Sequence, residues 1–208
     1  MKNPFDNISK KNKEKLLKNL KSHTVNYKNN TNITEIITDK NEIGIIVSGY
    51  LQIVKNNYNG SSNVIDTLQE NDAFSSSTFY IDDDYEIIAK EDVNIIIIDY
   101  TELINYNEND KVYNQFIKNL FIILNEKLTD KNERIEILTK KTIRNKLLEY
   151  FKIMSKKNGS KYIYLPFNFI NLADYLAIDR SAMSRELKFL KDEGFIEIKG
   201  KRITLLYR

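Results

Sequence analysis

Residues Phe169–Phe195, FINLADYLAIDRSAMSRELKFLKDEGF, constrain this 208-residue chain more than any other stretch. Ile170, Leu172, Ala173 and Leu176 recur at spacings that place apolar side chains on one face of a short helix. Ala177, Ile178 and Asp179 interrupt that rhythm, and Asp179 is suited to cap a second helix by accepting from its first free backbone N–H groups. From Arg180 to Glu193, Met183, Leu187 and Leu190 share a buried face, while Arg180, Ser181, Ser184, Arg185 and Lys188 lie elsewhere on the surface. Gly194 then supplies the left-handed residue on which helices commonly end. Two helices joined across so short a break, the second with a polar and basic outer face, describe a helix-turn-helix whose second member fits a DNA major groove.

Arginines on an exposed helix face are ordinarily only solvated. Here Arg185 shares its helix with Arg180, Lys188 and two serines small enough to let the backbone approach a duplex. Arg185 is expected to contact a guanine edge through both arms of its guanidinium, with Arg180 as a second guanine reader or a phosphate clamp. Ser181 and Ser184 complete the base-reading set, and Lys188 is assigned to phosphate. Charge is divided unevenly. Residues 139–208 carry 16 Lys and Arg against 7 Asp and Glu, within a chain whose net charge is only +3. A basic C-terminal third on an acidic remainder implies that one end alone meets a polyanion, with strongly salt-dependent binding.

Upstream, Val25–Tyr100 breaks into short alternating apolar runs, including IGIIVSGYLQIVK and NVIDTL, with Asn59-Gly60 between two of them as a hairpin signal. Strands at this interval predict an antiparallel β-roll, jelly-roll-like, preceded by short helices built on Phe5, Ile8, Leu16, Leu17 and Leu20. A long helical pattern then runs from about Asn107 to Lys140. Ile117, Phe121, Leu124, Leu128, Lys131, Ile135 and Leu138 trace a heptad seam suited to pairing with a second copy, and Phe116, Leu120 and Ile123 are left for packing within the chain. The polar run TDKNER is expected to loosen that pairing, as a place for effector-dependent rearrangement. Thr139–Thr142 reads as a hinge before a helix built on Ile143, Leu147, Leu148, Phe151 and Met154 and ended by Asn158-Gly159. YIYLPF is a short strand that Pro166 confines to an edge, and FIEIKGKRITLLY folds about Gly200 as a hairpin. The fold class is therefore α+β: a β-roll sensor domain with short N-terminal helices over 1–106, a dimerisation helix and hinge over 107–140, and a winged helix-turn-helix over 141–208. Lys199, Lys201 and Arg202 sit at the wing, within reach of phosphates.

The spacing Leu172, Ala173, Leu176, Arg180, Ser184, Arg185, Leu187, Leu190, Gly194, Ile196 resembles the DNA-binding half of the Crp/Fnr family of transcription regulators. The family's turn glycine is replaced by Ala177, and Ser181 stands where many members have a glutamate that accepts from a cytosine amino group, so the half-site should differ at that base pair. The strand region is similar to the family's effector-binding roll through Gly44, Gly49, Gly60, Leu68 and Asp72-Ala73-Phe74. In members that bind cyclic nucleotides, a Gly-Glu pair and an Arg-Ser or Arg-Thr pair follow. Those positions fall here on Ser75, Ser76 and the run Asp82, Asp83, Asp84. Carboxylates repel a phosphate, which needs guanidinium and N–H donors, so cyclic AMP is not expected to bind. The resemblance implies a homodimer on a pseudo-palindromic double-stranded DNA site, with RNA polymerase as a further partner and either an unknown small-molecule effector or constitutive action.

The inventory narrows the remaining classes. The absence of cysteine excludes disulfides, Cys-ligated zinc and Cys-held iron–sulfur clusters, and the single His23 reads as a structural or surface residue. No cofactor or metal is expected; Asp82, Asp83, Asp84 and Glu86 could hold a hard cation but read better as a solvated acidic loop. There is no apolar run of membrane-spanning length and no apolar leader, so a cytoplasmic location is expected. An enzyme built on the roll fails for want of a nucleophile motif or a phosphate-cradling glycine loop. The alternative from another class is a winged module that binds a protein partner and no DNA.

Overall fold

The structure is a computed structural model that describes residues 2–35, 41–58, 60, 62–75, 84–107, 109–165 and 169–207. The chain divides into two compact units, Met1–Glu126 and Lys127–Arg208.

In the first unit, helix α1 (Lys10–Asn19), capped by Ser9, is followed by seven strands: β1 (His23–Tyr27), β2 (Glu42–Ser48), β3 (Tyr50–Asn56), β4 (Ser62–Gln69), β5 (Ala73–Ser75), β6 (Tyr85–Ala89) and β7 (Val93–Asp99). They form two antiparallel sheets, ordered β1-β7-β2-β5 and β4-β3-β6. The expected β-roll is thus present. The hairpin between β3 and β4 is also present: Gly60 adopts φ +77° and its amide donates to the Asn57 carbonyl, while Asn59 lies outside the described residues.

Strand β7 shows why the run VNIIIID lacks the alternation of a half-exposed strand. Val93, Ile95 and Ile97 point into the core with Leu51, Ile53, Leu68 and Phe74; Ile96 and Ile98 point the other way, into a core with Leu16, Leu20, Leu103, Phe116 and Leu120. A strand covered on both faces needs apolar side chains on both. The second of these cores is closed by α2 (Tyr100–Ile104), capped by Asp99, and by the start of α3 (Lys111–Leu138). Helix α3 begins later than the sequence pattern suggested, at the point where Asp110 accepts from the amides of Val112 and Tyr113. Phe116, Leu120 and Ile123 are buried within the chain, as expected. Asn119 is buried among them and stays satisfied, donating to the carbonyls of Pro4 and Asp6 at 3.0 and 2.8 Å.

The second unit contains the end of α3, then α4 (Ile143–Asn158), β8 (Tyr162–Tyr164), α5 (Phe169–Tyr175), α6 (Arg180–Asp192), β9 (Ile196–Lys199) and β10 (Arg202–Leu205). The strands form one antiparallel sheet ordered β8-β10-β9, so β8 is an edge strand as its sequence suggested; Pro166 lies outside the described residues. Its core joins Ile137, Leu147, Phe151, Leu172, Ala173, Leu176, Met183, Leu187, Leu190, Ile196 and Ile203. The helix break at 139–142 is real, and the Thr142 hydroxyl caps α4 by accepting from the Asn145 amide.

One sequence reading is corrected here. Ile170 is 49% exposed, and Phe169 packs against the core instead. At 100° per residue Phe169 aligns with Leu172, Ala173 and Leu176, whereas Ile170 is rotated off that face. The run TDKNER continues the helix, Lys157 Nζ reaches Asp130 and Glu133 at 2.6 Å each, and the Arg134 guanidinium lies 5.1 Å from the centre of the Tyr175 ring. These side chains bind the end of α3 to α4 and α5.

Ala177 adopts φ +49°. The Ile178 amide donates to Ala173 and the Ala177 amide to Asp174, the paired bonds of a Schellman ending, which α6 repeats with Gly194 at φ +77°. A methyl group in the left-handed region costs roughly 1 kcal/mol. Ala177→Gly is therefore expected to raise stability by about 1 kcal/mol in urea unfolding. An unchanged or lower midpoint would show that the alanine is not strained.

Candidate nucleic-acid interface

The site is built on α6. Asp179 accepts from the Ala182 amide at 2.8 Å and from the Ser181 hydroxyl at 2.5 Å, and these two donors hold its carboxyl below the ordinary aspartate range. Met183, Leu187 and Leu190 seat the helix in the core. Ser181, Ser184, Arg185 and Lys188 are exposed on its outer side. Arg180 is exposed as well and leans toward Asp174 of α5, with nitrogen–oxygen distances of 3.4 and 3.5 Å. Among the described residues, Arg185 and Lys188 make no hydrogen bond or ion pair, so two cations on this face are left for an anionic partner.

Two residues of α4 position this face, and sequence reasoning did not single them out. Arg144 donates through Nε to Glu186 at 2.6 Å and through both terminal nitrogens to Glu193 at 2.8 and 2.7 Å. Those hydrogen bonds hold Arg144 well above, and Glu193 below, their ordinary pKa ranges. The clamp ties the middle of α6 and its C-cap residue to α4, and it neutralises two carboxylates that would otherwise oppose a phosphate. Lys146 Nζ donates to the carbonyls of Leu176 and Ala177 at 3.1 and 3.5 Å, which satisfies acceptors at the end of α5. Arg144 stands 42 and 49 residues from its partners, so no local spacing signals the contact.

The wing is the β9–β10 hairpin, turned at Gly200 with φ +61° and with Lys199 opposite Arg202. Lys199 and Lys201 are exposed; Arg202 is half-buried, and its guanidinium lies 5.8 Å from the centre of the Tyr162 ring on β8. Of the three wing cations, Arg202 is thus already drawn toward an aromatic face.

The chain's C-terminal part matches a known family over residues 145–208, described as a Crp-like helix-turn-helix domain. The chain is 25% identical over 181 residues to a protein of Porphyra purpurea named as an HTH-type transcriptional regulator, ycf28, covering 82% of this chain and 73% of that one. Residues 145–208 thus carry a Crp-like helix-turn-helix domain. Solved structures share its fold. A double mutant of CooA from Carboxydothermus hydrogenoformans aligns with a TM-score of 0.66 at 21% identity over 93% of this chain and 86% of that one. A cyclic nucleotide-binding domain-containing protein of Listeria monocytogenes aligns at 0.63 and 18% identity, over 92% and 96%.

The positions at which the resemblance places a nucleotide cassette are only partly described. Ser75 ends β5 and Asp84 follows the gap, while Ser76, Asp82 and Asp83 lie outside the described residues. Among the described residues no group of three or more His, Cys, Asp and Glu could hold a metal ion, and no helix is long and apolar enough to cross a membrane. His23 is exposed on β1.

Proposed function

We propose that this regulator is a homodimer that binds a pseudo-palindromic DNA site sequence-specifically, setting one α6 into each of two successive major grooves about 34 Å apart. The observation that carries this reading is the outer face of α6, where Arg185 and Lys188 are exposed and make no hydrogen bond or ion pair among the described residues while Glu186 and Glu193 are held by Arg144. Arg180, Ser181, Ser184 and Arg185 read base edges; Lys188, Lys199, Lys201 and Arg202 meet phosphates. Residues 141–208 act as the reading head and 107–140 as the dimerising rod. Pairing is supported by α3, whose seam residues Phe121, Leu124, Leu128 and Ile135 are 66, 46, 57 and 58% exposed in the single chain. Ile117 and Leu138, at half-burial, flank that stripe. Large apolar side chains lined along one helix face are what a second copy would cover.

The sensor roll over 1–106 responds to a ligand other than cyclic AMP or leaves the heads permanently competent, since carboxylates occupy the positions at which the family binds phosphate. RNA polymerase is the further partner and the cytoplasm the location. An electrophoretic shift of random-sequence duplex at low salt, lost as salt rises, tests DNA binding; a chain that shifts no duplex acts instead as a protein-interaction module. Arg185→Ala is expected to cost about 1–3 kcal/mol on the selected site and to relax preference at one base pair. An equal loss on all sequences would make Arg185 a phosphate contact.

A further inference from the structure

Ser181 presents a hydroxyl whose single proton is already committed. Its Oγ lies 2.5 Å from Asp179 Oδ1, the same oxygen that accepts the Ala182 amide at 2.8 Å. The carboxyl of Asp179 is held in its ionised form by those donors, the Ser181 hydroxyl foremost. An ionised carboxylate has no proton to give, so in this pair the serine is the donor. A serine hydroxyl carries one proton and two lone pairs. With the proton turned back onto the helix cap, the exposed side of Ser181 offers lone pairs alone. Ser184, three residues on, has no such partner among the described residues, so its hydroxyl is free to turn either way.

The major groove distinguishes these two states. Adenine N6 and cytosine N4 carry the amino donors there, whereas guanine and thymine present O6, N7 or O4 acceptors. We propose that Ser181 reads its base pair purely as an acceptor, selecting an amino-bearing base, adenine or cytosine, on the strand it faces and rejecting guanine and thymine there. The inference rests on α6 being the base-reading helix. It adds the chemical class of the base and the device that imposes it: a neighbouring capping carboxylate that fixes the direction of a hydroxyl. Both orientations of a base pair contain an amino group, so the selection is between strands. Ser184 should impose no comparable choice.

The test selects bound duplexes from a randomised pool with the full-length wild-type chain and with Ser181→Ala and Ser181→Thr. The preferred site is then rebuilt with purine for adenine, or 2-pyrimidinone for cytosine, at the position where the wild type and Ser181→Ala selections diverge. Loss of that one amino group is expected to weaken wild-type and Ser181→Thr binding about five- to tenfold and Ser181→Ala binding less than about twofold. Guanine or thymine on that strand, lost in Ser181→Ala, would show that the hydroxyl donates outward and would overturn the proposal. Selections that do not diverge, or an equal loss in all three proteins, would reduce Ser181 to a capping residue and overturn it too. A wild-type chain that retains no duplex at low salt overturns the DNA reading and this proposal together, whereas a retained duplex without the strand preference overturns this proposal alone.

Discussion

Replacing Leu124 and Leu128 with glutamate in the same chain is expected to yield a monomer whose affinity for a two-half-site duplex falls by about 10²- to 10⁴-fold. Both leucines are exposed on the outer stripe of α3, away from Phe116, Leu120 and Ile123, which are buried within the chain. The substitution therefore leaves the internal face of the helix untouched. Covering one leucine is worth about 1.5–3 kcal/mol, and in the proposed two-fold pair each would meet its counterpart. Two glutamates per copy remove that gain and bring four carboxylates together in the seam, where like charges repel. Affinity for a single half-site should be unchanged, because α6 and its supports are not altered; what disappears is the second head's binding at high effective concentration. Sedimentation and titration of one- and two-half-site duplexes check both halves of the expectation. A variant that still sediments as a pair would remove α3 from the interface.

Phe151→Ala is expected to destabilise the C-terminal unit by about 3–5 kcal/mol. Its side chain is fully buried, with its ring 5.8 Å from that of Tyr150, in the core that also holds Ile137, Leu147, Leu172 and Leu190. Truncation loses the transfer energy of the ring and leaves a cavity that helices fixed by the Arg144 and Lys157 ion pairs cannot readily close. Against a total stability of roughly 5–15 kcal/mol, such a loss is enough to populate unfolded heads. Duplex binding should fail on warming while the chain still sediments as a pair. Phe189→Ala serves as the control, since Phe189 is 53% exposed and is expected to change stability by no more than about 0.5 kcal/mol. Hydrogen exchange within residues 143–205 checks the difference, and equal protection in the two variants would show that Phe151 does not anchor this core.

The helix-turn-helix was legible because its signals are local. Asp179 caps α6, Gly194 ends it, and Met183, Leu187 and Leu190 bury at the spacing of successive turns, all within one stretch of chain. The Ala177 departure was legible for the same reason, since an alanine in the place of a turn glycine can only sit strained or alter the turn. The strands and the β3–β4 hairpin followed from alternation and turn chemistry. Local pattern does not specify a partner. The polar run TDKNER resembles solvent-exposed helix, yet Asp130 and Glu133 meet a lysine more than twenty residues downstream. Ile170 and Phe169 are both apolar neighbours, and the docking angle of α5 packs the second against the core.

The amino-acid order alone determined where helices start and stop, which faces are apolar and where the positive charge gathers, because caps, rotation per residue and left-handed turns act over a few neighbouring peptide units. Tertiary structure decided what each face meets. Only the return of the chain brings Arg144 onto Glu186 and Glu193 and lays apolar elements over both sides of β7. Contacts between residues tens of positions apart depend on how the helices and strands pack, and no short-range periodicity encodes that.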